Sequence, residues 1–286
     1  MRNQVKLIEC PRDAMQGWKP FIPTQIKIDY INALLKVGFD TIDFGSFVSP
    51  KAIPQLADTK EVVKHLQVHN STTKLLAIVA NIRGAQEAVA FDEISYLGFP
   101  FSVSPTFQIR NTNSSIEESL TTVAAIQDLC LKNNKKAVVY ISMGFGNPYG
   151  DEYSSEIVLQ WAGKLVNLGI EIISLADTVG LAKPSEITSL LNSLIPTYPK
   201  VQFGVHLHSA PGQWKEKVDA ALKAGCYRID GALNGVGGCP MAEDELVGNL
   251  DTALIIPFLQ ENGLLTNINE LALNECLLMT NRIFQL

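Results

Sequence analysis

Four histidines occur in the 286 residues of the chain, and two of them stand two positions apart in Gly204-Val205-His206-Leu207-His208. The run before them, Val201-Gln202-Phe203-Gly204-Val205, reads as a strand. Side chains alternate faces along a strand, so the two imidazoles leave on the same side and can grip one metal ion. Two semi-buried histidines satisfied by backbone carbonyls would look the same. The polar residues elsewhere in the chain have to separate the two readings.

Those residues need a frame. A phrase of amphipathic helix, glycine and β-branched strand recurs around Gly38, Gly98, Gly169 and Gly225. In each copy the glycine takes the left-handed position that ends a helix. The spacing predicts eight strands, beginning near Val5, Thr41, Lys74, Phe101, Ala137, Glu171, Val201 and Tyr227. Thr24 after Pro23 reads as the cap of the first helix, and Ser115-Ile116-Glu117-Glu118 as a capping box. Helices alternating with short buried strands make parallel βαβ units. Eight of them closing on themselves give an α/β fold, the TIM (β/α)8 barrel. A doubly wound sheet is disfavoured because no Gly-x-Gly-x-x-Gly follows the first strand. One catalytic domain is expected over residues 1–286, with the barrel to about 250 and C-terminal helices over about 251–286.

The active end of such a barrel is the rim where its strands finish. Read that way, strand 1 delivers Arg12, Asp13 and Gln16, strand 2 Asp43 and Ser46, strand 6 Asp177 and Thr178, and strand 7 His206 and His208. The loop after strand 8 brings Gly237-Gly238-Cys239-Pro240 and then Asn249. Two histidines with an aspartate and an amide oxygen suit octahedral Mg²⁺ or Mn²⁺ better than tetrahedral zinc. A non-haem iron site with two histidines and one carboxylate is the alternative.

The bulk composition narrows the partners. The chain is 47% hydrophobic and 18% charged, with a net charge of −6. That balance supplies a sizeable core and argues against nucleic acid or an anionic membrane as partner, since both demand a basic face. No apolar run approaches the roughly 18 residues that span a bilayer. Five scattered cysteines without a Cys-x-x-Cys pair fit a reducing compartment. With Val5-Lys6-Leu7-Ile8 following the first four residues directly, no targeting segment is expected, and a cytoplasmic location follows.

Five segments then carry a resemblance: VKLIECPRDAMQ at 5–16, TIDFGSFVSPKAIPQ at 41–55, SLADTVG at 174–180, His206-Leu207-His208, and GVGGCP at 235–240. Together they resemble the 3-hydroxy-3-methylglutaryl-CoA (HMG-CoA) lyases of the DRE-TIM metallolyase superfamily, whose barrels make or break carbon–carbon bonds beside a divalent metal. The resemblance implies that Asp13, His206, His208 and Asn249 hold the metal, Mg²⁺ or Mn²⁺. It implies that Arg12 binds the thioester carbonyl, that Asp43, Asp177 and His206 surround the substrate hydroxyl and carboxylate, and that Cys239 handles a proton. Gln16 and Ser46 fall among the substrate-binding positions. The implied reaction cleaves an acyl-CoA, HMG-CoA, to acetyl-CoA and acetoacetate, as in leucine degradation, and barrels of this type often pair as homodimers.

Four positions depart from the family pattern: Ser209 where an acid is usual, Asp43 for Glu, Pro105 for Glu, and Asp251-Thr252-Ala253 for Ala-Thr-Glu. They leave the exact acyl-CoA open. Two rivals are a Claisen-condensing relative of the isopropylmalate and homocitrate synthases and a non-catalytic acyl-CoA-binding relative. His208-Ser209 and the absence of a long C-terminal region disfavour the first. The intact Arg12, Asp13, His206, His208, Cys239 and Asn249 disfavour the second.

Overall fold

The computed structural model describes residues 4–210, 212–238 and 247–286. Its strands are β1 (Lys6–Glu9), β2 (Thr41–Ser46), β3 (Lys74–Ile78), β4 (Ile94–Ser102), β5 (Lys136–Ser142), β6 (Ile172–Asp177), β7 (Gln202–Leu207) and β8 (Arg228–Gly231). All pair in parallel with their sequence neighbours, and β1 pairs β8 from Lys6↔Arg228 to Glu9↔Gly231, which closes the barrel. The helices around it are α1 (Pro11–Gln16), α2 (Thr24–Leu34), α3 (Thr59–Lys64), α4 (Ile82–Val89), α5 (Pro105–Thr112) and α6 (Ile116–Lys132). They continue as α7 (Ser155–Asn167), α8 (Pro184–Thr197), α9 (Trp214–Lys223), α10 (Thr252–Glu261) and α11 (Glu270–Phe284). The fold is the TIM barrel expected, with α10 and α11 as the C-terminal helices.

The strands are apolar on both faces because both are buried. Leu75 and Ala77 pack outward against the helices, while Leu76 and Ile78 join Val138, Tyr140 and Ile172 inside the barrel. Strand periodicity thus splits one short run between two cores.

Two local expectations are corrected, and one helix is added. Strand 4 begins at Ile94 rather than near Phe101, so Gly98 lies inside β4 and ends no helix. A Cβ there would fall 2.6 Å from the Ile78 side chain and 3.2 Å from the Tyr140 ring, and the interior core occupies that space. Thr24 is the first residue of α2, not its cap; its hydroxyl donates to Asp58 at 2.8 Å. The segment after β1 is itself a helical turn, α1, begun by Pro11 at a position where its missing N–H costs nothing. Elsewhere the readings match. Gly38, Gly169 and Gly225 have φ of 101°, 82° and 85°, and the Ser115–Glu118 capping box is formed. Among the described residues, no helix is long and apolar enough to cross a membrane.

Candidate metal centre and active site

The site is assembled by two strand ends and one turn of helix. In α1, residues three and four apart share a face. Gln16 therefore reaches back to accept from Arg12 Nη1 at 2.9 Å and donate to Asp13 Oδ1 at 2.8 Å. Arg12 also donates from Nη1 to Asp13 at 3.0 Å. Its Nε and Nη2 donate to Asp43 Oδ2 at 2.9 and 2.5 Å. Every nitrogen of the guanidinium is engaged, so its orientation is set before any ligand arrives.

His206 lies on the inner face of β7 and His208 just beyond its end, their rings 5.4 Å apart. Asn249 reaches them through the backbone. The segment around it bridges His208 in antiparallel fashion, with Ser209 N donating to Gly248 O and Leu250 N to Leu207 O. The Asn249 amide then donates to Asp13 Oδ2 at 2.7 Å and to Val236 O at 2.9 Å. Gly237 is required beside it, since a Cβ there would meet the Asn249 amide nitrogen at 2.6 Å at a φ of 109°.

One ligand atom each from Asp13, His206 and His208 lies within 4.8 Å of the others, and all three residues are buried. His208 is tied to the Thr178 backbone, while its Nε2 is buried without a partner. Asn249 Oδ1 is likewise buried and unpartnered. Orphaned buried acceptors are rare because each costs a lost hydrogen bond. Here they stand beside a carboxylate and a second imidazole, and such a mixed nitrogen and oxygen set fits a hard divalent cation. The charges suit it. Burial opposes the ionised form of Asp13, but Arg12, the two histidines and Asn249 hold its carboxyl down at about 2. Burial and the neighbouring His206 lower His208 to about 4, so it stays neutral and able to ligate.

A cavity of about 240 Å³ is lined by Arg12, Asp13, Gln16, Thr178, His206 and His208. The rest of its lining is mostly apolar, with Val48, Ile53, Ile78, Pro100 and Phe107, and includes Asn111, Tyr140 and Ser142.

The remaining predicted residues stand apart from that space. Asp43 is fully buried behind Arg12, and burial outweighs the guanidinium to push its carboxyl up to about 6. Asp177 does not line the cavity; its Oδ1 accepts from Ala182 N at 3.0 Å and its Oδ2 from Lys217 at 2.9 Å. Lys217 also donates to the His208 carbonyl at 2.7 Å, so the pair braces the turn after β7. The Ser46 hydroxyl accepts from Val48 N at 3.2 Å. Cys239 lies outside the described residues.

Lys217 and Asp230 are not among the residues read from the sequence. Lys217 had a signal, a charge on the buried face of α9 beside Val218 and Ala221. Asp230 had a fainter one, a carboxylate in the middle of a buried strand.

Fold and site together define a TIM-barrel protein with a candidate metal centre at the carboxyl ends of its strands. Comparison with known proteins gives the family. A model described as HMGL-like matches residues 4–278, and the chain belongs to that family. The mitochondrial hydroxymethylglutaryl-CoA lyase of Mus musculus is 35% identical over 270 residues, 93% of this chain and 82% of the relative. A solved HMG-CoA lyase from Acinetobacter baumannii, in complex with coenzyme A and 3-methylmalate, superposes with a TM-score of 0.91 at 31% identity, covering 99% of this chain and 92% of that one. The Bacillus subtilis HMG-CoA lyase gives 0.92 at 31% identity, covering 99% and 95%.

Proposed function

We propose that the chain is a metal-dependent carbon–carbon lyase that cleaves HMG-CoA to acetyl-CoA and acetoacetate within a single domain over residues 1–286. The observation that carries this reading is the meeting of Asp13, His206 and His208 beside Arg12 in the lining of one cavity. The coenzyme A and 3-methylmalate held by the Acinetobacter neighbour support the same ligand class.

Cleavage of a 3-hydroxyacyl thioester removes the hydroxyl proton, turns that oxygen into a ketone and breaks the C2–C3 bond. The electron pair passes to the thioester as an enolate, which takes a proton at C2. Asp13, His206, His208 and Asn249 would hold Mg²⁺ or Mn²⁺, which supplies positive charge that acidifies the substrate hydroxyl. Arg12, oriented by Asp43, Asp13 and Gln16, places a fixed cation where the enolate oxygen develops its charge. Cys239 is the proposed donor to C2, because a thiol's ordinary pKa lies much nearer neutrality than a hydroxyl's.

Three of the four departures from the family pattern lie away from the cavity wall, and this supports HMG-CoA itself as the substrate. The Ser209 hydroxyl bonds the Ala210 carbonyl, Pro105 opens α5, and Asp251 caps α10 by accepting from Ala253 N. The fourth, Asp43, acts through Arg12. Incubation with HMG-CoA and Mg²⁺ or Mn²⁺ tests the reading. Acetyl-CoA and acetoacetate should appear in equal amounts and vanish with chelator, and no product in the presence of metal overturns it.

A further inference from the structure

His206 has two ring nitrogens, and only one can serve the cation site. The other is controlled by a residue the reaction scheme leaves unused. The β7–β8 register sets His206 directly opposite Asp230. Asp230 is 1% exposed, and its Oδ2 lies 3.3 Å from His206 Nδ1, while its Oδ1 is buried and unpartnered. Two positions earlier on the same face of β8 is Arg228, also 1% exposed, with Nε and Nη2 unpartnered. The carboxylates acting on it are Asp230 and Asp40, the latter 4.0 Å from its Nη1. Space for this buried arginine comes from Gly204 on β7, where a Cβ would fall 2.9 Å from Arg228 Cγ and Cδ.

We infer that Asp230 is a positioning residue for the metal centre: by accepting the Nδ1 proton it fixes the His206 tautomer whose Nε2 lone pair faces Asp13 and His208. Arg228, two positions earlier on the same face, carries donors and no acceptor, so it cannot compete with Asp230 for the Nδ1 proton. A carboxylate behind a ligating histidine orients the ring and makes it a better ligand. The inference rests on the metal reading of Asp13, His206, His208 and Asn249. Cys10 also stands within 4.8 Å of this pair, so a second ion shared by Cys10, His206 and Asp230 is the competing arrangement that the experiment must separate.

Asp230→Asn makes the test, because it preserves shape. With Arg228 taking the amide oxygen, the NH₂ group faces His206 Nδ1 and drives the proton onto Nε2, the wrong tautomer. In the full-length protein the variant should bind Mn²⁺ roughly 10- to 100-fold more weakly by titration calorimetry. Long-range ¹H–¹⁵N spectra of metal-free protein should show Nδ1–H in the wild type and Nε2–H in the variant. The wild-type spectrum needs no substitution, so the inference stays testable if the variant does not fold. Nε2–H in the wild type, or an Asn variant with unchanged Mn²⁺ affinity and tautomer, overturns it. So does a second equivalent of Mn²⁺ that disappears in Cys10→Ala, since Asp230 would then hold an ion. Failure of the wild type to bind Mn²⁺ removes the metal reading instead, and the spectra still decide the tautomer.

Discussion

Asn249 donates to Asp13 Oδ2 at 2.7 Å across 236 positions of sequence, while its own Oδ1 is buried without a partner. The amide thus orients one proposed ligand and offers itself as another. Asn249→Ala removes both contributions. We expect Mn²⁺ affinity to fall roughly 10- to 100-fold, as for loss of a metal-site partner. Calorimetric titration at neutral pH checks this, and an unchanged affinity would remove Asn249 from the site.

Arg12 and Asp43 are coupled by a pair of hydrogen bonds in a buried setting. Arg12→Met leaves a fully buried carboxylate without its cation, a loss of about 3–5 kcal/mol. Turnover should fall by at least about 100-fold, the scale for losing a fixed donor to a developing oxyanion. Urea unfolding and steady-state kinetics measure the two effects; a variant as stable as the wild type would refute the coupling.

Asp177 separates a brace from a catalyst. If its work is to hold Lys217 against the His208 carbonyl, Asp177→Asn costs stability, of order 3–5 kcal/mol, with little change in kcat at saturating metal and substrate. A kcat lowered by roughly 100-fold with stability unchanged is the signature of acid–base work, and would restore the catalytic role.

Glu9 gives a dependence on pH. Burial raises its carboxyl to about 8 from the ordinary 4.5, against the Leu233 N–H that donates to it at 2.9 Å. Between those values the folded chain holds a proton the unfolded chain has lost. This contribution to stability is therefore present below about pH 4.5 and is lost as the pH climbs to about 8. Glu9→Gln keeps the acceptor for Leu233 and removes the titration. Its unfolding free energy should exceed that of the wild type above about pH 8 by a few kcal/mol and lack the wild-type decline. Parallel declines in both proteins would assign the slope to other groups.

Cys239→Ser should cut turnover severely while leaving Mn²⁺ affinity within about twofold, because the proposed proton transfer does not involve the cation's ligands. Full activity in the serine variant excludes the thiol as the proton donor.

The barrel and the histidine pair were legible because both follow from short local signals: the two-residue strand repeat and the glycines that end α2, α7 and α9. Gly98 misled for the same reason, since a glycine reserving space inside a strand has the sequence appearance of a helix stop. Asp13 and Asn249 were readable as residue types, but nothing local shows that an antiparallel bridge at His208 brings Asn249 to Asp13. Asp177 was read as a site residue because it ends β6. Its partner Lys217, on α9, was visible only as a charge misplaced on an apolar face. Asp230 was hidden because its role depends on β7–β8 register, which no single strand encodes.

The pairing of β1 with β8 has one more effect. Asp13 follows the first strand and Asn249 follows the last, so the candidate centre straddles the seam where the sheet joins itself. An ion held there recognises only a chain whose two ends have met. It favours the joined state over every partly assembled one by mass action, and its uptake during refolding would time the final zipping of the barrel.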